Sequence, residues 1–240
     1  MFDDNFEVFL ADTEESKEIH YSIRYRVYCE EMGFENKEDF PLEQEYDDYD
    51  EHSAHFIVRH KSTGDWIGAM RLIIHKGQAL PIEQHCELTE QVIPSRSVEI
   101  SRLCVVKEMR KGFKDIDPPN GIAASDIESS PTKVSHLVDN QKRINRTVIW
   151  GLLNAGVIYC HQNKIPDWYF ITTNALAKVL NKGGFKMTSI GEPCNHNGER
   201  HPFKKDAIEA YNNETWRKNF KNHYFAYSVF ENLSLKKHVA

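Results

Sequence analysis

The sequence has no Cys-x-x-Cys pair, no excess of basic residues and no apolar run of membrane-spanning length. Its five cysteines, at 29, 86, 104, 160 and 194, are odd in number and widely spaced. That pattern argues against a disulfide scaffold and against a zinc finger. Lysine and arginine number 30 against 36 acidic residues, a net charge of −6 with neutral histidines. A general nucleic-acid binder usually shows the opposite balance. The longest apolar stretch, Thr147 to Cys160, is interrupted by Asn154 and falls short of the roughly 20 residues a membrane span needs. The opening MFDDNFEVFL is acidic where a signal peptide would be basic. These absences lead to the expectation of a soluble, cytoplasmic protein with no integral membrane segment and no nucleic-acid partner. Hydrophobic residues make up 40% of the 240 and charged residues 28%, enough apolar material for a core. The length suits one domain, residues 1–240.

Periodicity then orders the chain. Residues 13–33 predict an amphipathic helix, capped by Asp12 or Thr13, with Ile19, Ile23 and Val27 as its buried stripe. Arg24 and Tyr28 form a second i, i+4 pair on the edge of that stripe. Residues 35–51 hold nine acidic side chains against one base, Lys37, and read mainly as a solvated acidic loop. Ser53–Lys61 and Trp66–Ile74 predict a hairpin of strands. Val98–Val106 predicts a further strand, in which strict alternation puts Glu99 and Arg102 on opposite faces unless a bulge intervenes. Residues 110–139 are rich in Pro, Ser and Asp and read as irregular. A helix follows from about Asn140 to Asn163. Trp168–Thr173 is read as a strand, Asn174–Asn181 as a short helix and Phe185–Ile190 as a strand. Residues 191–205 read as a polar loop, 206–221 as a helix and His223–Phe230 as a final strand. The mixture predicts an α/β sandwich around a mixed sheet.

Six charged residues interrupt apolar or aromatic patterns: Arg24, Asp47, Asp50, Arg71, Glu99 and Arg102. Three are positive and three negative, a set able to neutralise itself inside a cleft. An architectural ion-pair network accounts for the same pattern. Two further groupings carry little. Cys194, His196 and His201 match no ligand spacing that would hold a metal. Cys104, considered with His52 or His55, sits in a valine-rich strand where a cysteine is usually inert.

The motifs also carry a resemblance. Arg24-Tyr-Arg-Val27-Tyr28, followed by Phe34, resembles the R-x-x-V-F…W opening of the acyl-homoserine-lactone synthases. Asp47-Asp-Tyr-Asp50, Gly68-Ala-Met-Arg71-Leu72 and Val98-Glu99-Ile-Ser101-Arg102-Leu103 are similar to their D-x-x-D, G-x-x-R-L and E-x-S-R-F motifs, in the same order. The stretches YRVYCEEMGFE, EYDDYDEHSAHF, TGDWIGAMRLI, LPIE and VEISRLCV resemble more closely the acyltransferases associated with PEP-CTERM/exosortase systems. These are relatives of the long-chain N-acyl amino acid synthases.

That resemblance implies a GNAT-like three-layer sandwich with a central mixed sheet. It implies transfer of a fatty acyl group from acyl carrier protein to an amine acceptor, with no tightly bound cofactor. Glu99 is then the candidate base, with Ser101 and Arg102 beside it. Arg24, Tyr28, Phe34, Asp47, Asp50 and Arg71 are candidate acceptor-site residues. The amides around Leu103 and Val105 are candidate oxyanion donors, and Arg110 a candidate donor-binding residue. The segment Lys107–Phe113 holds a single glycine, which counts against coenzyme A as donor, because its pyrophosphate is usually cradled by a glycine-rich turn. Basic clusters at Lys107, Arg110, Lys111 and Lys114, at Lys142, Arg143 and Arg146, and at Arg200, Lys204 and Lys205 are candidate docking points for an acidic carrier protein. A lactone-producing synthase, a coenzyme A-dependent acetyltransferase and a non-catalytic carrier-binding module are the alternatives.

Overall fold

A computed structural model describes residues 2–89, 93–110, 135–213, 220–221 and 223–238. A short helix α1 (Phe2–Asn5) leads into strand β1 (Phe6–Leu10) and then helix α2 (Glu14–Arg24). Thr13 and Ser16 close a reciprocal cap at the start of α2, satisfying donors that the first turn leaves open. The helix continues as a π-helical stretch, Tyr25–Glu31, in which Met32 N bonds Val27 O at 3.0 Å. Strands β2 (Ser53–His60) and β3 (Trp66–Ile74) form the expected hairpin. Helix α3 (Pro81–His85), strand β4 (Ser97–Val105) and the short helix α4 (Lys107–Arg110) follow. Next come α5 (Ser135–Gln162), β5 (Asp167–Thr172), α6 (Asn174–Lys182), β6 (Thr188–Ser189), β7 (Cys194–Asn195) and β8 (Glu199–Asp206). The chain continues as α7 (Ala207–Asn212), β9 (Phe225–Ala226) and α8 (Tyr227–His238).

The sheet runs β6-β8-β5-β4-β3-β2-β1-β9, with β7 attached to β8. The pairs β4–β5 and β1–β9 are parallel and the others antiparallel. Direct partners share a face. His55, Arg71 and Ser101 therefore point to one side, with Ile73, Glu99, Tyr169 and Lys204 in the next row. Phe56, Met70, Leu72, Ile100 and Phe170 point to the other. Helix α2 covers the first side, where the His20 ring stacks edge-on against His55 at 4.7 Å. Helix α5 covers the second, with Gly156 against Met70 and Trp168. The result is three layers around a sheet that does not close.

Several expected elements differ. The 191–205 region contains a long strand, β8, inside the sheet. Its charged residues hide the pattern, yet Phe203 and Lys205 are buried. The buried Lys205 ammonium donates to Glu209 Oε2. The strand expected over Phe185–Ile190 shrinks to Thr188–Ser189, and only Phe225–Ala226 of the expected final strand is extended before α8 begins. The phenylalanine-rich β1 had no assignment from pattern. The helix expected over 206–221 is seen as α7, and residues 214–219 lie outside the described residues. So do residues 111–134 of the stretch expected to be irregular, and that stretch is helical from Ser135.

Cysteine spacing gave no sign of a single long-range bridge. Cys86 and Cys194 form a disulfide across 108 residues, with Cα atoms 5.2 Å apart. It ties the end of α3 to β7. Close by, Gly191 bridges Leu88, and a Cβ at 191 would collide with the Glu87 carbonyl oxygen. Gly191→Ala is therefore expected to lower stability by about 1–3 kcal/mol, because backbone rather than a mobile side chain must yield. A thermal melt checks this, and an unchanged Tm would contradict it.

Candidate active site

Arg24 closes α2 at the point where the helix widens into its π-helical stretch, a distortion frequent at functional sites. Pattern placed it at the edge of the core; it is fully buried. Its Nε donates to Glu45 Oε2 and its Nη1 to Asp50 Oδ1 at 2.6 Å. Arg71, equally buried on β3, grips Asp47 with its two terminal guanidinium nitrogens, donates to Ser101 Oγ at 3.0 Å, and lies 2.9 Å from Asp50. Arg102 on β4 reaches Glu45 at 3.0 Å, Glu35 at 3.2 Å and Asp47 at 3.5 Å. His55 Nε2 completes the shell of Asp50 at 3.0 Å.

Three arginines thus interlock with carboxylates from the acidic segment. Glu45 is the residue that pattern missed. It bridges Arg24 and Arg102 while only 1% exposed, so the acidic segment is partly interior rather than a solvated loop. Asp47 and Asp50 enclose a short turn, each capping the backbone of the other's end. Burial pushes the Asp50 carboxyl up, but the His55 hydrogen bond and the Arg24 and Arg71 charges outweigh it and hold it well below the usual carboxylate range. Glu45 is likewise lowered, the two arginines overcoming its burial. Burial keeps His20 and His55 below the ordinary histidine value.

Glu99 stands apart from this network. It was expected to pair with an arginine, but its Oε2 instead accepts from the Ile82 amide at 2.9 Å. It is buried, and burial pushes its carboxyl up to about 8 against the weaker pull of the Ile82 hydrogen bond and Arg71. A carboxyl with that value can release and recover a proton near neutral pH.

Strand β4 carries the irregularity that strict alternation could not reveal. Ala69 faces Cys104 and Arg71 faces Ser101, so Arg102 and Leu103 together oppose Met70. Arg102 adopts φ +51°. The bulge turns Arg102 toward the acidic segment, on the side that Glu99 and Ser101 already face. Past this point β4 and β5 part, because their pairing ends at Ile100 and Phe170. The β5-facing edge of Ser101–Val105 therefore has no strand partner among the described residues.

A cavity of about 870 Å³ fills the parting. One arm is apolar, lined by Ile100, Ile149, Phe170, Leu176, Val179 and Leu180. The other arm lies on the opposite side of the sheet and is polar, with Asp47, Arg71, Glu99, Ser101 and Arg102. Tyr28 and Phe34 stand at its wall with ring centroids 6.5 Å apart. The Tyr28 hydroxyl points to the Leu103 carbonyl at 3.4 Å, and Arg102 lies 5.2 Å from its ring centre. Leu103 and Val105 line the parting itself. The Cys104 thiol, pushed up to about 12 by burial, is a poor nucleophile.

Other candidates lie apart from this point or outside the described residues. Arg110 lies at the end of α4, and its side chain, together with Lys111, Lys114 and the side chains of Lys142, Arg143 and Arg146, lies outside the described residues. Cys194 is tied to Cys86, and His201 leans on the exposed Glu199 at 3.3 Å. Among the described residues no group of three or more such side chains is placed to hold a metal ion, and no helix is long and apolar enough to cross a membrane.

A layered sheet that splays between two central parallel strands, with a bulge at the split, invites comparison with known folds. An acetyltransferase (GNAT) domain model matches residues 23–114. The chain has the GNAT fold. Among solved structures, TofI in a ternary complex with an inhibitor and MTA superposes with a TM-score of 0.57 at 16% identity, over 84% of this chain and 91% of that one. BjaI, a CoA-dependent acyl-homoserine lactone synthase with SAM and isopentyl-CoA, gives 0.54 at 16% identity, over 88% and 89%. The AHL synthase LasI gives 0.54 at 16% identity, over 84% and 90%. No curated protein matches the sequence.

Proposed function

We infer that this chain is an N-acyltransferase that moves a fatty acyl group from acyl carrier protein to the amine of an amino acid or related small molecule. One observation carries the reading: the cavity runs through the split between β4 and β5, apolar on one side of the sheet and charged on the other. A thioester seated in the split has its alkyl chain in the apolar arm and its carbonyl beside the unpaired edge of β4. The acceptor occupies the polar arm.

The chemistry follows from the groups present. The amine nitrogen attacks the thioester carbon and its proton passes to Glu99, directly or through one water. With a value of about 8, Glu99 can take up the proton of the attacking amine and release it again near neutral pH. The oxyanion is met by backbone amides of Leu103–Val105. Collapse of the intermediate forms the amide, breaks the carbon–sulfur bond and returns a proton to the leaving thiol. Ser101 Oγ accepts from Arg71, which leaves its own hydrogen for a bound molecule. The buried Arg24–Glu45–Asp50–Arg71 network holds this floor rigid rather than reacting.

The donor is tested by supplying purified protein with lauroyl-acyl carrier protein and lauroyl-coenzyme A in parallel and following thiol release in the presence of mixed amino acids. Release from the carrier-protein donor at least tenfold faster supports the reading; the reverse ranking assigns coenzyme A, and no release from either overturns acyl transfer. A companion variant addresses the apolar arm. Leu176→Trp fills part of it, and each excluded methylene is worth about 0.8 kcal/mol. Losing room for two should lower kcat/KM for a long donor about tenfold relative to a short one. An unchanged chain-length profile would place the acyl chain elsewhere.

A further inference from the structure

The polar arm has a second charged wall, formed by His85, His196 and Arg200. It is built differently from the arginine–carboxylate network. Arg71 and Arg102 both meet carboxylates. Arg200 makes no ion pair among the described residues, and its Nη1 donates to the Glu199 carbonyl at 3.0 Å. It is half-buried and lines the cavity. The register gives its direction: Lys204 pairs Tyr169, which pairs Glu99, and Arg200 lies four residues along the same strand. It therefore faces the side that Glu99 faces, about 13 Å further along the strand direction.

The wall is also held in place. Asn197 and Gly198 adopt φ +52° and +95°, the turn that joins β7 to β8 in a tight hairpin. The Cys86–Cys194 disulfide fastens that hairpin to α3. His85 and His196, one from each side of the link, bring their rings to 4.3 Å. Burial and the neighbouring His85, Arg102 and Arg200 charges keep His196 below the ordinary histidine value, so it offers hydrogen bonds more than charge. At the opposite end Glu99 is largely protonated at pH 7. Arg200 is the cation of this wall without a carboxylate partner among the described residues.

We propose that Arg200, flanked by the His85–His196 pair, is an anion-binding subsite that holds the acceptor's carboxylate and selects anionic over uncharged or cationic amines. This rests on the acyl-transfer reading and names the end of the acceptor remote from the reacting nitrogen. A guanidinium binds a carboxylate through two parallel hydrogen bonds, which orients the amine back along the cavity toward Glu99.

The test uses binding rather than turnover. N-lauroyl-6-aminohexanoic acid, whose carboxylate lies several bonds from its amide nitrogen, and its methyl ester, which lacks the negative charge, are titrated calorimetrically into the wild type and into Arg200→Gln and Arg200→Lys, with circular dichroism confirming that each variant is folded. The wild type should bind the acid at least tenfold tighter than the ester. Arg200→Gln should bind both with the ester's affinity, and Arg200→Lys should keep part of the preference. Equal binding of acid and ester by the wild type overturns the subsite and leaves the acyl cavity standing. A preference that survives in Arg200→Gln overturns the assignment to Arg200. Failure of the wild type to bind either compound overturns the acyl-transfer reading itself, and the subsite with it.

Discussion

Glu45→Ala is expected to destabilise the protein by about 3–5 kcal/mol, the cost of leaving a buried charge without its partner. Arg24 is fully buried and gives Nε to Glu45; Arg102 shares the same carboxylate at 3.0 Å. Removing it leaves one guanidinium with Asp50 alone and loosens the other from the bulge. Glu35 provides the control, since it touches the same Arg102 but its side chain is 31% exposed. Its removal should cost no more than about 1 kcal/mol. Urea unfolding separates the two, with a lower midpoint and an unchanged slope expected for Glu45→Ala. A loss below 1 kcal/mol would mean that water reaches Arg24. The network also has an acid signature. Asp50 and Glu45 are held below the ordinary carboxylate range when folded. Their contribution is therefore present above the unfolded values near 4 and is lost as pH falls through the folded ones. Glu45→Ala should flatten that decline.

Glu99→Gln should lower kcat by about 10²–10⁴, the range attributed to a positioned general base, with little change in fold because glutamine keeps the shape and still accepts from the Ile82 amide. The rate of the wild type should rise with pH through about 8 as Glu99 loses its proton, and the variant should lack that limb. Stability should move the opposite way. The folded value lies above the unfolded one near 4.5, so the native state binds more protons between them and loses stability as pH rises across that window. Above pH 8 the ionised, buried Glu99 costs at most about 4–5 kcal/mol, taking 1.36 kcal/mol per unit. Glu99→Gln should therefore melt higher than the wild type at pH 8–9 and nearly equally at pH 4. Loss of activity with no alkaline stabilisation would point to a positioning role instead.

What the sequence revealed of this site depended on contrast. Arg24, Arg71, Glu99 and Arg102 stand out because each interrupts an apolar or aromatic run. Glu45 sits among other acids, with no apolar rhythm around it to break, so its burial left no mark. The bulge at Arg102 has no glycine or asparagine to announce it. It exists because Arg102 is drawn toward the acidic segment, a tertiary cause. Strand β8 was hidden by His201, Lys204 and Lys205, although the Asn197-Gly198 pair before it is a usable hairpin signal. Cys86 and Cys194 meet across 108 residues, a distance over which no spacing rule operates. The layered fold was more legible, because β2, β3, β4 and the apolar half of α5 carry plain periodicity and supply much of the core.

The most direct measurement is mass spectrometry of lipid extracts from cells expressing the wild type or Glu99→Gln. A fatty-acyl amide of an amino acid or related amine is expected in the wild-type extract and absent from the variant. The same amide at equal abundance from both would contradict Glu99 as the base, and no acyl amide from wild-type cells supplied with acceptor amines would contradict acyl transfer as the activity of this cavity.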